Sequence, residues 1–147
     1  MVLLFDVNVV LAAHRGDHAG HEVARAELLG AGAGEQPFAV PSGVWSAVLR
    51  LATNRRIFPV PSSVADVFAF IDAVVSQPTF VWAEPGPRHL DLLRRACEES
   101  GSFANLIPDA VLAALAVEHG ATVVSFDRDF DRFAVAHRRP GRAVGDR

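Results

Sequence analysis

The chain has 147 residues, a length that suits one domain able to bury about two-thirds of the surface its unfolded form exposes. Half of the residues are hydrophobic and 21% are charged, an ordinary globular profile; with a formal net charge of −3, no bulk positive field draws nucleic acid, so any such binding is local. The single cysteine, Cys97, excludes an internal disulfide and fits a reducing cytosol; four residues after Leu93 on one helical stripe, it reads as a buried structural thiol.

No apolar run approaches the roughly 20 residues of a membrane span, so no membrane association is expected. The opening run MVLLFDVNVVLAA lacks the basic start of a signal peptide and is broken by Asp6, which points to the cytoplasm. One domain is expected over 1–135, with a short C-terminal edge and a partly flexible tail over 136–147. GAGAGEQ at 30–36 reads as a loop, too short to link domains.

In chain order, 2–5 is a buried strand and 7–13 a helix, with Asn8 in the turn between them. Asp6 ends the strand at what would be the carboxyl edge of a parallel sheet, where such folds place ligands; capping the helix is the competing role. His14, His18 and His21 have spacings that fit one helical face and invite zinc. Arg15-Gly16-Asp17 looks instead like a turn with an N-cap, and nothing completes a ligand set, so they read as exposed loop histidines. A helix over 17–29 follows, with Val23, Ala26 and Leu29 facing inward.

A second strand at 38–40 leads through Pro41-Ser42 into a helix ending at Leu51. Arg50 closes that helix, and Asn54, Arg55 and Arg56 occupy an exposed turn; these arginines either contact backbone phosphate or cap a solvated helix end. Ser62 or Ser63 caps a helix ending near Val75, with Val67, Phe68, Phe70, Ile71 and Val74 as its apolar face. A third strand is expected at 79–82, then a turn at 84–87, an amphipathic helix over 88–99 and a break at Gly101-Ser102. After Phe133 come a short edge strand and a frayed basic tail carrying Arg138, Arg139 and Arg142 as electrostatic helpers.

Between them lies NLIPDAVLAALAVEHGATVVSFDRDFDRF, 105–133. Pro108 opens a largely buried helix with Asp109 in its first turn, Gly120 ends it, and 121–126 is a strand buried on both faces. A helix of about eleven residues travels roughly 16 Å and a strand of about five returns roughly 16 Å, so Asp109 and Asp127 share an edge of the domain. Strands alternating with helices predict an α/β fold with an open parallel sheet covered on both faces, which brings Asp6 to that edge as well.

Converging carboxylates repel unless a cation or shared proton intervenes, and an oxygen-only set prefers Mg²⁺, or Mn²⁺, over zinc or copper. Asp6 and Asp109 are the expected primary ligands, with Asp127 a further one, direct or through water. Asn8 and Ser125 would orient these groups by hydrogen bonds. Asp129 is placed with Asn8 and Ser125 behind the ligands and reads as a solvated loop acid rather than a compensating ligand. Such a centre suits phosphodiester hydrolysis by in-line attack of water, with one acid accepting the water's proton.

DVNVVLAAH, SGVWSAVLRLATNRRIFP and, above all, DAVLAALAVEHGATVVSFDRDF resemble the PIN domain, and within it the VapC ribonuclease toxins of type II toxin–antitoxin pairs. The resemblance spans nearly the whole chain and implies a three-layer α/β/α fold, Mg²⁺-dependent endoribonuclease activity on RNA, and silencing by a cognate antitoxin in the active-site groove. Asp6, Asp109 and Asp127 match three of the family's acids. A further family glutamate in the helix after the second strand is matched by Val48, which cannot bind metal, leaving one or two ions open. That departure motivates an alternative, a weakly active PIN-like protein acting through protein binding. A phosphatase of the haloacid dehalogenase kind would need an aspartate where Asn8 stands, and ranks last. Apolar helix faces suggest a homodimer.

Overall fold

Val2–Phe5 forms β1, which runs beside Ala121–Val124 (β3) in parallel, Phe5 level with Val124, so both strands end at the same edge. Phe38–Ala39 (β2) flanks β1 and His137–Arg138 (β4) flanks β3, giving an all-parallel sheet in the order β2-β1-β3-β4. This computed structural model describes residues 1–142. Around the sheet lie α1 (Val7–His14), α2 (His21–Ala33), α3 (Ser42–Ala52), α4 (Val64–Val75), α5 (His89–Ser100) and α6 (Ile107–His119). Short 3-10 turns occupy Ala104–Leu106 and Arg128–Arg132. α1 packs against α2 and α3, α3 against α4, and α5 against α6 and through it on β3, the three-layer α/β/α arrangement expected. Among the described residues no helix is long and apolar enough to cross a membrane.

The sheet is apolar because both faces are covered: Leu4, Phe5, Val123 and Val124 are fully buried. Phe5 meets Phe38 edge-on at 5.9 Å, and Phe38 meets Phe80 at 5.5 Å, so aromatic contacts continue the core across the β2 side. α6 buries Ala110 and Leu112–Ala116, and Gly120 ends it at φ 60°, the left-handed conformation that an L side chain adopts at a cost. Asp6 caps α1, Ser63 caps α4, and α3 is capped from a distance: Glu84 accepts both the Ser42 N–H and its Oγ–H at 2.7 Å.

Several local expectations are corrected. The second helix spans 21–33 rather than 17–29, because Asp17 is bound by Arg15 instead of capping, and the Gly/Ala stretch stays helical through Ala33. Its buried face is Ala24, Leu28 and Ala31, while Val23, Ala26 and Leu29 are all exposed. The third strand reduces to one bridge, Phe80 to Phe38, before 81–88 leaves the sheet. Phe68 is exposed and Cys97 only half-buried, since α5 buries none of its residues fully. The three histidines are half-buried rather than exposed: His14 contacts Ser62, His18 caps Gly20 N–H, and His21 contacts the Ala12 carbonyl. The edge strand of the C-terminal segment is β4; of the tail expected there, 143–147 lie outside the described residues.

Candidate metal centre

The ends of β1 and β3 and the start of α6 deliver the acids. Asp6 follows β1, and its N–H donates to the Val124 carbonyl at 3.0 Å, extending the strand pairing by one step. That step aims its carboxylate across the edge: Oδ1 accepts the Val7 N–H and Oδ2 the Ser125 hydroxyl, each at 2.7 Å. The two roles weighed for Asp6 are therefore held together, one oxygen capping α1 and the other facing β3. Ser125 is fully buried, and its hydroxyl also accepts from Asn8 Nδ2 at 3.1 Å and from the Asp127 N–H at 3.0 Å. Asn8 Oδ1 takes the Phe126 N–H at 3.2 Å, so Asn8 and Ser125 tie the two strand ends into one network.

Asp127 caps the 3-10 turn 128–132 by accepting the Asp129 N–H at 2.8 Å. The turn draws Asp129 inward: one carboxylate oxygen from each of Asp109, Asp127 and Asp129 lies within 4.8 Å of the others. Asp129 therefore stands beside the other two acids while its side chain stays 43% exposed to solvent. Asp6 adjoins this set, its oxygens already engaged, yet it is near enough to act on Asp109 electrostatically.

Electrostatics report the crowding. Asp109 sits in the first turn of α6, where the helix dipole favours a carboxylate, yet its pKa is pushed up to about 6. Burial is the largest cause, followed by the charges of Asp6, Asp127 and Asp129, with Arg132 opposing them. Asp6 is raised too, first by burial and further by Asp127; hydrogen bonds from Ser125 and Val7, and then His137, work in the other direction. An octahedral hard cation with metal–oxygen distances near 2.1 Å spaces its oxygens about 3–4 Å apart, so a small side-chain adjustment would close this set around one ion. Donor chemistry, spacing and unrelieved repulsion all fit a hard divalent cation.

Other predicted positions lie elsewhere. Val48 is fully buried on the α3 stripe with Val44, Trp45 and Ala52, so it is apolar because it packs in the core. Arg50 lies in the last turn of α3, and Arg55 and Arg56 are exposed on the turn that follows. The segment after that turn is bound at the far end of α1, where Arg15 donates to Val60 and Ser62 and lies 4.2 Å over the Phe58 ring. The length of α1, about 12 Å, separates this point from Asp6.

Two neighbours of the acids had not been singled out. Arg132 pairs with Asp129 at 3.8 Å, and His137 reaches the Ser125 carbonyl at 3.2 Å and Asp131 at 3.7 Å. The alternating charges of DRDFDRF were a signal for Arg132. His137 carried none, because its place depends on the parallel pairing of β4 with β3.

The chain is similar to known proteins along nearly its whole length. Residues 3–136 match the family model described as PIN domain. Ribonuclease VapC25 of Mycobacterium tuberculosis is 56% identical over 140 residues, covering 95% of this chain and 99% of that protein. Ribonuclease VapC43 of the same organism is 37% identical over 132 residues, 90% of each chain. In fold, the chain is similar to VapBC2 from Rickettsia felis bound to a promoter DNA fragment (TM-score 0.65, 16% identity, 95% of this chain and 98% of that one). It is also similar to Mycobacterium tuberculosis VapC20, titled a Sarcin-Ricin loop cleaving toxin (TM-score 0.61, 16% identity, 88% and 92%).

Proposed function

The chain belongs to the PIN domain family, on its VapC branch, and from that premise we propose that it is the toxin of a type II toxin–antitoxin pair, a Mg²⁺-dependent endoribonuclease held silent by a cognate antitoxin. The observation that carries the reading is the gathering of Asp109, Asp127 and Asp129 beside Asp6 at the carboxyl edge of the sheet. Mg²⁺ bound there would polarise the scissile phosphodiester of RNA and position a water for in-line attack.

The chain's own groups have distinct tasks. Asp6, Asp109 and Asp127, joined by Asp129, would hold the cation, and one of these acids would accept the proton the attacking water releases. Ser125 and Asn8 fix the orientation of Asp6 and the Asp127 loop through the hydrogen bonds described. Arg50, Arg55 and Arg56, away from the acids, would contact phosphates beyond the scissile one. Exposed Trp82, Leu90 and Phe103 offer apolar surface for the antitoxin or a second copy of the chain, and a cytoplasmic location follows from the substrate.

Incubating the purified chain with total bacterial RNA tests the reading. Cleavage should require Mg²⁺ or Mn²⁺, stop with chelator and fall at least a hundredfold in Asp109→Ala and Asp6→Ala variants that keep their circular dichroism. Undiminished cleavage in both variants would remove the site from these residues. Absence of cleavage by the unmodified chain would favour the protein-binding alternative.

A further inference from the structure

We infer that Arg132 is a substrate-binding residue that exchanges partners: it pairs with Asp129 while the acids lack a cation, and turns to the scissile phosphate once Asp129 is engaged by one. The inference rests on the ribonuclease reading and adds to it a residue that binds the substrate at the reacting group.

Charge balance supplies the first argument. Asp6, Asp109, Asp127 and Asp129 gather four carboxylates at one edge, and a single divalent cation neutralises half of that charge. A phosphodiester carries a further negative charge, and the chain as a whole is at −3, so no distant field offsets the repulsion. A positive side chain beside the acids would favour the close approach of an RNA phosphate.

Geometry supplies the second. Among the described residues, Arg132 is the arginine in ion-pair contact with one of the clustered acids, Nη2 to Asp129 Oδ1 at 3.8 Å. That distance is long for a charge-assisted bond, where about 2.7–2.9 Å is usual, so the pair is loose and easily exchanged. Both side chains stay open to solvent, at 49% and 43% relative exposure, which gives the guanidinium freedom to turn. A phosphate oxygen on a cation near 2.1 Å from the same carboxylate would lie about 3–4 Å from Asp129, within reach of the same Nη atoms. The field of Arg132 extends to Asp109, the acid against which it acts.

A third point is what Arg132 lacks. Arg15 and Arg138 are each committed to more than one partner, Arg15 to Asp17, Ser62 and Val60 and Arg138 to Glu27 and the Arg142 carbonyl. Arg132 has one loose contact at the mouth of the site, and the 3-10 turn capped by Asp127 fixes its backbone.

The test compares the full-length chain with Arg132→Gln and Arg132→Lys. Mn²⁺ affinity is measured by calorimetry on RNA-free protein, and binding of a fluorescein-labelled single-stranded RNA 20-mer by anisotropy across a salt series in chelator and in Ca²⁺. The two readouts should move in opposite directions. Arg132→Gln should bind Mn²⁺ two- to fivefold more tightly, because a competing cation is gone. It should bind the RNA in Ca²⁺ about tenfold more weakly, with a salt slope lower by about one phosphate contact. With total RNA in Mg²⁺, KM should rise more than kcat falls, and Arg132→Lys should recover part of the loss.

Unchanged RNA affinity and salt slope in Arg132→Gln overturn the inference. So does a parallel drop in Mn²⁺ affinity and thermal midpoint, which is the signature of a structural role. A chain that does not cut RNA with any divalent ion overturns the ribonuclease reading, and this inference with it. Cleavage by the unmodified chain with unaltered KM in Arg132→Gln overturns the role of Arg132 alone.

Discussion

At the scale of single residues, Asp109 holds the largest electrostatic tension. It is pushed up to about 6 by burial and by three neighbouring acids, so in the metal-free protein it retains a proton that the unfolded chain releases near pH 3.8. Folding is therefore favoured by this group below about pH 4, and that contribution is lost as the pH rises through about 6. Asp109→Asn removes the repulsion and should raise the metal-free thermal midpoint at pH 7.5; solvent screening at a half-exposed group keeps the rise to about 1–2 °C. The same variant should lose the stabilisation that Mg²⁺ gives the unmodified chain, which differential scanning fluorimetry with and without chelator would show. In the unmodified chain, Mg²⁺ and the proton compete for Asp109. The Mg²⁺-induced shift in midpoint should therefore be small at pH 5 and grow through pH 7, with proton release detectable by calorimetry in two buffers of different ionisation enthalpy.

At the scale of elements, the site depends on where helices begin. The first turn of α6 carries Asp109, Asp6 is the cap of α1, and Asp127 caps the 3-10 turn that brings in Asp129, so the acids also terminate helical elements. α3 begins at the same edge but takes its cap from Glu84, which lies 42 residues away along the chain. Glu84→Ala leaves Ser42 N–H without its carboxylate and should cost about 1 kcal/mol, seen as a lower urea midpoint with an unchanged m-value. Metal affinity should hardly change, because the substitution touches none of the acids. Helices with strong local punctuation were legible in sequence: Gly120 ends α6 and Gly101 ends α5, both with positive φ, and Ser63 caps α4. α2 was misplaced by four residues because its start has no side-chain cap and the glycines near its end continue the helix.

At the scale of the whole molecule, the edge strand β4 is held by α2, a helix far from it along the chain. Arg138 makes a bidentate pair with Glu27 of α2, and Glu27 also accepts the Gly141 N–H. Both side chains are largely buried, at 18% and 12% exposure, so this is an ion pair whose breaking strands a charge. Arg138→Ala should destabilise the chain by about 3 kcal/mol, more than Glu27→Gln, which keeps hydrogen-bonding capacity. Hydrogen exchange should show the amides of Val123 and Ser125, which donate to the Ala136 and Arg138 carbonyls, losing protection first. Since His137 braces the Ser125 carbonyl, weaker Mg²⁺ binding should follow, linking the Arg138–Glu27 pair to the acids.

The sequence by itself determined the architecture and three of the acids. Apolar runs of strand length alternate with helices of matching length, and that arithmetic returns the chain to the same edge each time, carrying Asp6, Asp109 and Asp127 with it. Tertiary structure alone decided which acids share one small volume, because side chains from separate elements meet only after the strands are in register. It placed Asp129 with Asp109 and Asp127, set Asp6 beside them with both oxygens bound, and brought Arg132 into contact with Asp129. Linear pattern records the period and length of each element. The distances between charges on different elements, which govern cation binding and proton affinity, depend on register and packing.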